Sequence, residues 1–254
     1  MTLASDRIRI LAIGNSFSDD AMSYLPDILL ECGVREVLIG NLVIGGCSLQ
    51  THWDNAQHNK ALYNYYKNIQ GTWQAHPEKT LRHGLEDAQW DLVTLQQVSS
   101  QSGKPETYNT DLTNLIAYVR EACPQARLAW HMTWSYAPGS THGAFGAYDQ
   151  DSEKMYRAIV QAVQTKILPN RVFSLLIPAG TAIQNGRRSL GEDLTRDGYH
   201  LNKAGRFLVG LTWARSLGLP IDNVKTLPEE VPPAYLPKLK QAAEQAVASP
   251  FRPS

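Results

Sequence analysis

The sequence predicts an α/β fold, a single domain built on a parallel sheet of five strands with helices on both faces. Short apolar runs rich in β-branched residues alternate with stretches of helical periodicity, the pattern of successive βαβ units around a buried sheet. The chain has 254 residues, 43% of them hydrophobic, enough to fill one sizeable core. No internal repeat or low-complexity tract interrupts the alternation.

The strands are expected over Ile8–Ile13, Glu36–Val43, Asp91–Gln97, Arg127–Thr133 and Val172–Ile177. Helical spacing marks Asp20–Cys32, Ala56–Ile69, Asp111–Ala122 and Ser152–Leu168, the last with Met155, Ile159, Val163 and Ile167 on one face. Asn202 suits an N-cap, and Phe207, Leu208, Leu211 and Leu217 follow at helical spacing. A proline-bearing connector, Pro220 to Pro237, leads to a final helix around Leu239–Val247 and a short tail.

Composition removes several function classes. The 24 basic and 24 acidic side chains cancel and form no basic block, so nucleic acid is not an expected partner. Charged residues precede the first apolar run, and Ile8–Ile13 is too short for a leader or a membrane span; a cytoplasmic location and no membrane partner are the expectation. Cys32, Cys47 and Cys123, odd in number and widely spaced, predict neither a disulfide framework nor a zinc motif. His52, His58, His76 and His83 match no metal signature, so neither a metal nor another cofactor is expected.

Parallel sheets collect ligands at the carboxyl ends of their strands, where the strand order reverses. The first strand runs into Gly14-Asn15-Ser16-Phe17-Ser18-Asp19, a tight turn before a helix, which presents Ser16 beside the free N–H groups of a helix start. A serine hydroxyl needs a base, and that imidazole needs a third group to hold its tautomer. Asp197-Gly198-Tyr199-His200, just ahead of the helix that follows Asn202, offers both.

These two blocks resemble the first and last blocks of the SGNH/GDSL hydrolases, the first as Gly14-Asn15-Ser16-Phe17-Ser18 and the last as Asp197-Gly198-Tyr199-His200-Leu201-Asn202. They stand in the family's order at opposite ends of the chain. The resemblance implies a flavodoxin-like, three-layer α/β/α sandwich with a five-stranded parallel sheet, and ester hydrolysis through an acyl-serine without a metal. Ser16 would be the nucleophile, His200 the base and Asp197 its partner. The oxyanion hole would combine the Ser16 and Gly46 amides, with Gly45 close behind, and a side-chain amide after the third strand. There the family's Gly-x-Asn-Asp is replaced by Gln96-Gln97-Val98-Ser99-Ser100; Gln97 resembles the substitute donor, with Gln96 and Ser100 as the other candidates.

Asn15, Gln96, His131, Trp134 and Tyr136 are candidate substrate contacts, since all fall near the same sheet edge. Ser135–Asp149 is long enough to be a lid or binding loop. Cys47 beside the glycines has no activating base nearby in sequence and reads as a packed thiol. The insert 51–90, read as helical, carries Trp53, Tyr63, Tyr65, Tyr66, Trp73 and Trp90, an excess of flat, polar-tipped rings that suits sugar stacking. The expected substrate is therefore a small-molecule or oligosaccharide ester with a short acyl group, most simply O-acetyl. A non-catalytic carbohydrate-binding protein of the same fold and, within ester chemistry, a thioesterase or lysophospholipase stay open at this point.

Overall fold

A computed structural model describes residues 6–191 and 194–254. The expectation about the N-terminus falls partly on residues 1–5, outside the described residues. One seven-stranded sheet organises the chain, with strand order β4-β3-β2-β1-β5-β6-β7. The strands are β1 Arg7–Gly14, β2 Glu36–Val43, β3 Tyr63–Ile69, β4 Thr72–Lys79, β5 Leu92–Leu95, β6 Arg127–His131 and β7 Phe173–Ile177. Five of them, β2-β1-β5-β6-β7, are mutually parallel, in the order expected of a flavodoxin-like sheet.

The other two correct the sequence reading. The helix expected over Ala56–Ile69 is instead the end of a helix at Gln57 followed by β3, which pairs antiparallel with β2 and with β4. Gln70 and Gly71, both at positive φ (51° and 86°), form the two-residue turn that a tight hairpin demands. Tyr63 and Tyr65 alternate into the core, a period of two that the polar residues between them obscured. The sheet thus has seven strands rather than five, the extra pair extending the β2 edge.

Nine α-helices surround it among the described residues: α1 Ser16–Met22, α2 Leu25–Glu31, α3 Leu49–Gln57, α4 Leu81–Glu86, α5 Thr110–Ala122, α6 Ser152–Ala162, α7 Ala179–Leu190, α8 Lys203–Ser216 and α9 Tyr235–Ala248. The segment Asp20–Cys32, read as one helix, is two, because Pro26 opens α2 and cannot continue α1. The segment Ser152–Leu168 is α6 followed by one π turn, Val163–Ile167. Helix α7, which no apolar periodicity announced, packs on α8, where Gly186 lies close against Leu208, and on α9, where Asn185 Nδ2 donates to Ala242 O at 3.1 Å. Helices α1, α2, α8 and α9 lie together on one side of the sheet and α3, α4 and α5 on the other. Among the described residues no helix is long and apolar enough to cross a membrane.

Candidate active site

Parallel β1 and β5 lie side by side with the crossovers leaving in opposite directions, so the chain segments after both strands open at one switch point. Asn15 caps α1, its Oδ1 accepting from Phe17 N–H at 3.0 Å, and this fixes the turn that carries Ser16. The Asn15 Nδ2 donates to Cys47 O at 3.0 Å, and Ile44 N–H to Gly14 O at 3.3 Å. These bonds hold the Gly45–Gly46 loop against the Ser16 turn. Gly45 and Gly46 are exposed, and neither amide donates to a described residue.

On the opposite side of Ser16 stands the Asp197–His200 loop, closed by the bridge between Thr195 and Leu201. His200 Nε2 lies 2.9 Å from Ser16 Oγ, and His200 Nδ1 lies 2.7 Å from Asp197 Oδ2. The other carboxylate oxygen, Oδ1, accepts from His200 N–H at 2.7 Å and Tyr199 N–H at 3.1 Å. Partial burial pushes the Asp197 carboxyl up, but the His200 ring and these amides outweigh it and hold the carboxyl below its ordinary range. An ionised Asp197 then fixes the tautomer in which Nδ1 carries the proton and Nε2 faces the hydroxyl. Gly198, at φ 89°, is needed twice: its backbone is left-handed, and a Cβ there would come within 3.0 Å of Ser140.

Two buried anchors set this loop in place. Asp20, on α1 one turn past Ser16 and fully buried, accepts from Leu201 N–H at 2.7 Å, Arg196 Nη1 at 2.9 Å and Arg206 Nη2 at 2.7 Å. Trp134 stacks on Phe17, with centroids 4.2 Å apart and planes 5° apart, and its Nε1 donates to Tyr199 O at 2.8 Å. The residue after the serine and the residue before the histidine are thereby joined through one indole.

The residues expected to touch substrate are instead buried beneath the site. Asn15, Gln96, His131, Trp134 and Tyr136 are at most 2% exposed. Gln96 Nε2 donates to Asn15 Oδ1 at 2.9 Å, which leaves its Oε1 to accept from His131 Nδ1 at 3.0 Å. Burial pushes His131 down to about 3, so its ring is neutral. Tyr136 bonds Ser99 Oγ at 3.0 Å. The Gln97 amide, expected in the oxyanion hole, is also committed elsewhere: Oε1 accepts from Leu49 and Val98 N–H, and Nε2 donates to Thr107. Gln97 knits three loops together. Ser100 is half-buried.

The loop Ser135–Asp149 seats the Asp197–His200 loop, with Ala137 N–H donating to Gly198 O at 2.7 Å and the His142 ring 4.8 Å from that of Tyr199. His142, which the sequence did not single out, is pushed down by burial and by the neighbouring His200 charge. Cys47 is buried, its thiol pushed up to about 12, and all three cysteines are free. No group of His, Cys, Asp and Glu among the described residues is arranged to hold a metal ion. A cavity of about 730 Å³ opens at the far end of the sheet, beside Arg9, Asp91 and Arg127 at the strand starts. It contains no nucleophile and base within reach of each other, so chemistry rather than volume locates the site.

Known structures share this architecture. A crystal structure of a DUF4886 family protein from Bacteroides uniformis is 37% identical, with a TM-score of 0.92 over 98% of this chain and 97% of that one. A protein from Slackia heliotrinireducens, put forward as an SGNH hydrolase, superposes with a TM-score of 0.53 at 23% identity, over 84% of this chain and 100% of that one. A catalytic mutant of Axe2, an acetylxylan esterase from Geobacillus stearothermophilus, gives 0.52 at 12% identity, over 87% and 98%. The fold is therefore that of the SGNH hydrolases. No curated protein matches the sequence significantly. The family model described as DUF4886, a domain of unknown function, matches residues 9–246, and the chain belongs to that family.

Proposed function

We propose that the protein is a serine esterase of the SGNH kind that removes short acyl groups, O-acetyl above all, from a carbohydrate. The observation that carries this reading is the unbroken line from the Ser16 hydroxyl through His200 to Asp197, with contacts of 2.9 and 2.7 Å. As Ser16 Oγ attacks the ester carbonyl, its proton passes to His200 Nε2, and the carbonyl oxygen becomes an oxyanion. The Ser16 and Gly46 amides stabilise that charge; Gln97, spent on Thr107, is not a donor in this scheme. Collapse breaks the carbon–oxygen bond to the alcohol, which leaves with the proton from His200. Water, deprotonated by His200, then attacks the acyl-serine; collapse breaks the bond to Ser16 Oγ, which takes back the proton from His200 as the acid leaves.

The acetylxylan esterase activity named for Axe2 favours the acetyl-sugar substrate within this chemistry. The aromatic insert supports it less broadly than its composition suggests. Tyr63, Tyr65 and Trp90 are core residues, Trp53 is half-buried against Tyr118 and Tyr66 is half-buried, which leaves Trp73 as the exposed ring of the insert. The test is a panel of acetylated sugars and para-nitrophenyl esters of rising chain length, assayed with wild type and Ser16→Ala. Acetyl esters should turn over in the wild type only. Activity that survives Ser16→Ala excludes the nucleophile, and turnover confined to long chains excludes the carbohydrate.

A further inference from the structure

The added hairpin creates a second recognition surface beside the serine. Tyr66 pairs with Asn41 across β3 and β2, and Trp73 pairs with Asn68 across β4 and β3. Side chains directly opposite in a sheet share a face, and so do those two positions apart on a strand, so these four project to one side. Gly40 and Tyr65, at the alternate positions, meet Trp90 on the other side. Between the first face and α1 lies a cavity of about 220 Å³ lined by Asp19, Met22, Ser23, Tyr66 and Trp73. Asp19 follows Ser16 by three residues, one turn along the same face of α1, and it is close enough to His200 for their charges to interact.

Two features distinguish this groove from an ordinary seam. Trp73 is 37% exposed, one of few large apolar side chains that reach solvent among the described residues. On the same sheet face, Asn41 and Asn68 are at most 1% exposed, yet both Asn41 amide atoms and Asn68 Nδ2 lack a hydrogen-bond partner. Buried amides are ordinarily satisfied. An indole and a phenol beside a carboxylate match a pyranose ring: its C–H face stacks on the aromatics and its hydroxyls donate to the carboxylate oxygens. The carboxylate disfavours a phosphate, and the small volume with its polar wall disfavours a long acyl chain.

We propose that the groove between α1 and the β3–β4 hairpin is a sugar-ring subsite, in which Trp73 and Tyr66 stack on the pyranoside alcohol of the ester and Asp19 accepts its hydroxyls. The subsite rests on the esterase reading for its role but not for its existence. Two assays separate them. Kinetics compare acetylated methyl β-xylopyranoside with para-nitrophenyl acetate in wild type, Trp73→Ala, Asp19→Asn and Ile69→Ala, an exposed control on the same hairpin. Trp73→Ala should raise KM for the glycoside about tenfold with little change in kcat, a loss several times larger than for para-nitrophenyl acetate. Asp19→Asn should act in the same direction, and Ile69→Ala should change neither substrate. Equal losses on both substrates, or none on the glycoside, overturn the subsite.

The second assay is calorimetric titration of each variant with xylotriose, which needs no turnover. Saturable heat in wild type that weakens about tenfold in Trp73→Ala supports the subsite even if no ester is cleaved, an outcome that would remove the esterase reading alone. No heat in wild type, or identical affinity in Trp73→Ala, overturns the subsite.

Discussion

Asp20 and His200 are tied through one residue: the Asp20 carboxylate accepts the N–H of Leu201 at 2.7 Å, so the helix that begins at Ser16 holds the main chain immediately after the imidazole. Arg196 and Arg206 close on the same carboxylate from either side of that segment. The 2.9 Å contact between hydroxyl and ring is thus set by the ion pairs around the buried Asp20 carboxylate and not only by the three side chains in line.

Asp20→Asn tests this clamp. Removing the charge leaves two partly exposed guanidinium groups facing a neutral amide, which costs about 1–3 kcal/mol of stability, less than breaking a fully buried pair. The variant should lose that much in denaturant unfolding and, below its melting point, should show a lowered kcat with KM nearly held. Arg196→Ala, which removes a half-exposed partner, should show the same kcat loss at a smaller stability cost. Equal kcat in wild type and Asp20→Asn would separate the clamp from catalysis.

Gln97→Ala distinguishes a loop fastener from an oxyanion donor. Loss of a donor costs roughly 10²–10³ in kcat. Because the Gln97 amide is bound to Leu49, Val98 and Thr107, the variant should instead melt at lower temperature and keep kcat within about threefold of wild type. A hundredfold loss of kcat in a folded Gln97→Ala would return the glutamine to the oxyanion hole.

Acid should destabilise the fold through two histidines that catalysis does not use. Burial holds His52 and His131 neutral, with pKa values pushed down to about 3 from an ordinary 6.5. Between those values the unfolded chain binds protons that the folded chain refuses, so stability is complete above about pH 6.5 and falls as pH drops toward 3. Each group contributes on the order of 1 kcal/mol per pH unit in that window. Scanning calorimetry from pH 7 to 5 should show Tm falling, and His52→Gln should flatten the slope; an unchanged slope in that variant would contradict the assignment.

The parallel strands were legible because the inner ones are buried on both faces and read as short apolar runs, and the half-buried edge strand β7 keeps such a run; Ser16, Asp197 and His200 were legible because two short blocks stand in a recognisable order. The hairpin was not, since the lysine and asparagines of Tyr63–Ile69 hide a period of two that is expressed only against β2. The buried layer under the site was misread for a related reason. Gln96, His131 and Trp134 fall near the right sheet edge, but strand-end position does not reveal whether a polar group meets substrate or a neighbour. No local signal marks Asp20, because its partners Arg196 and Leu201 lie 176 and 181 residues away.

The most direct test of nucleophilic chemistry is covalent labelling with a fluorophosphonate, read by intact mass and peptide mapping. One adduct on Ser16 in wild type is the expected result, with none in Ser16→Ala and slowed labelling in His200→Ala. An unlabelled wild type, or an adduct on any other residue, would contradict the assignment of Ser16 as the activated hydroxyl.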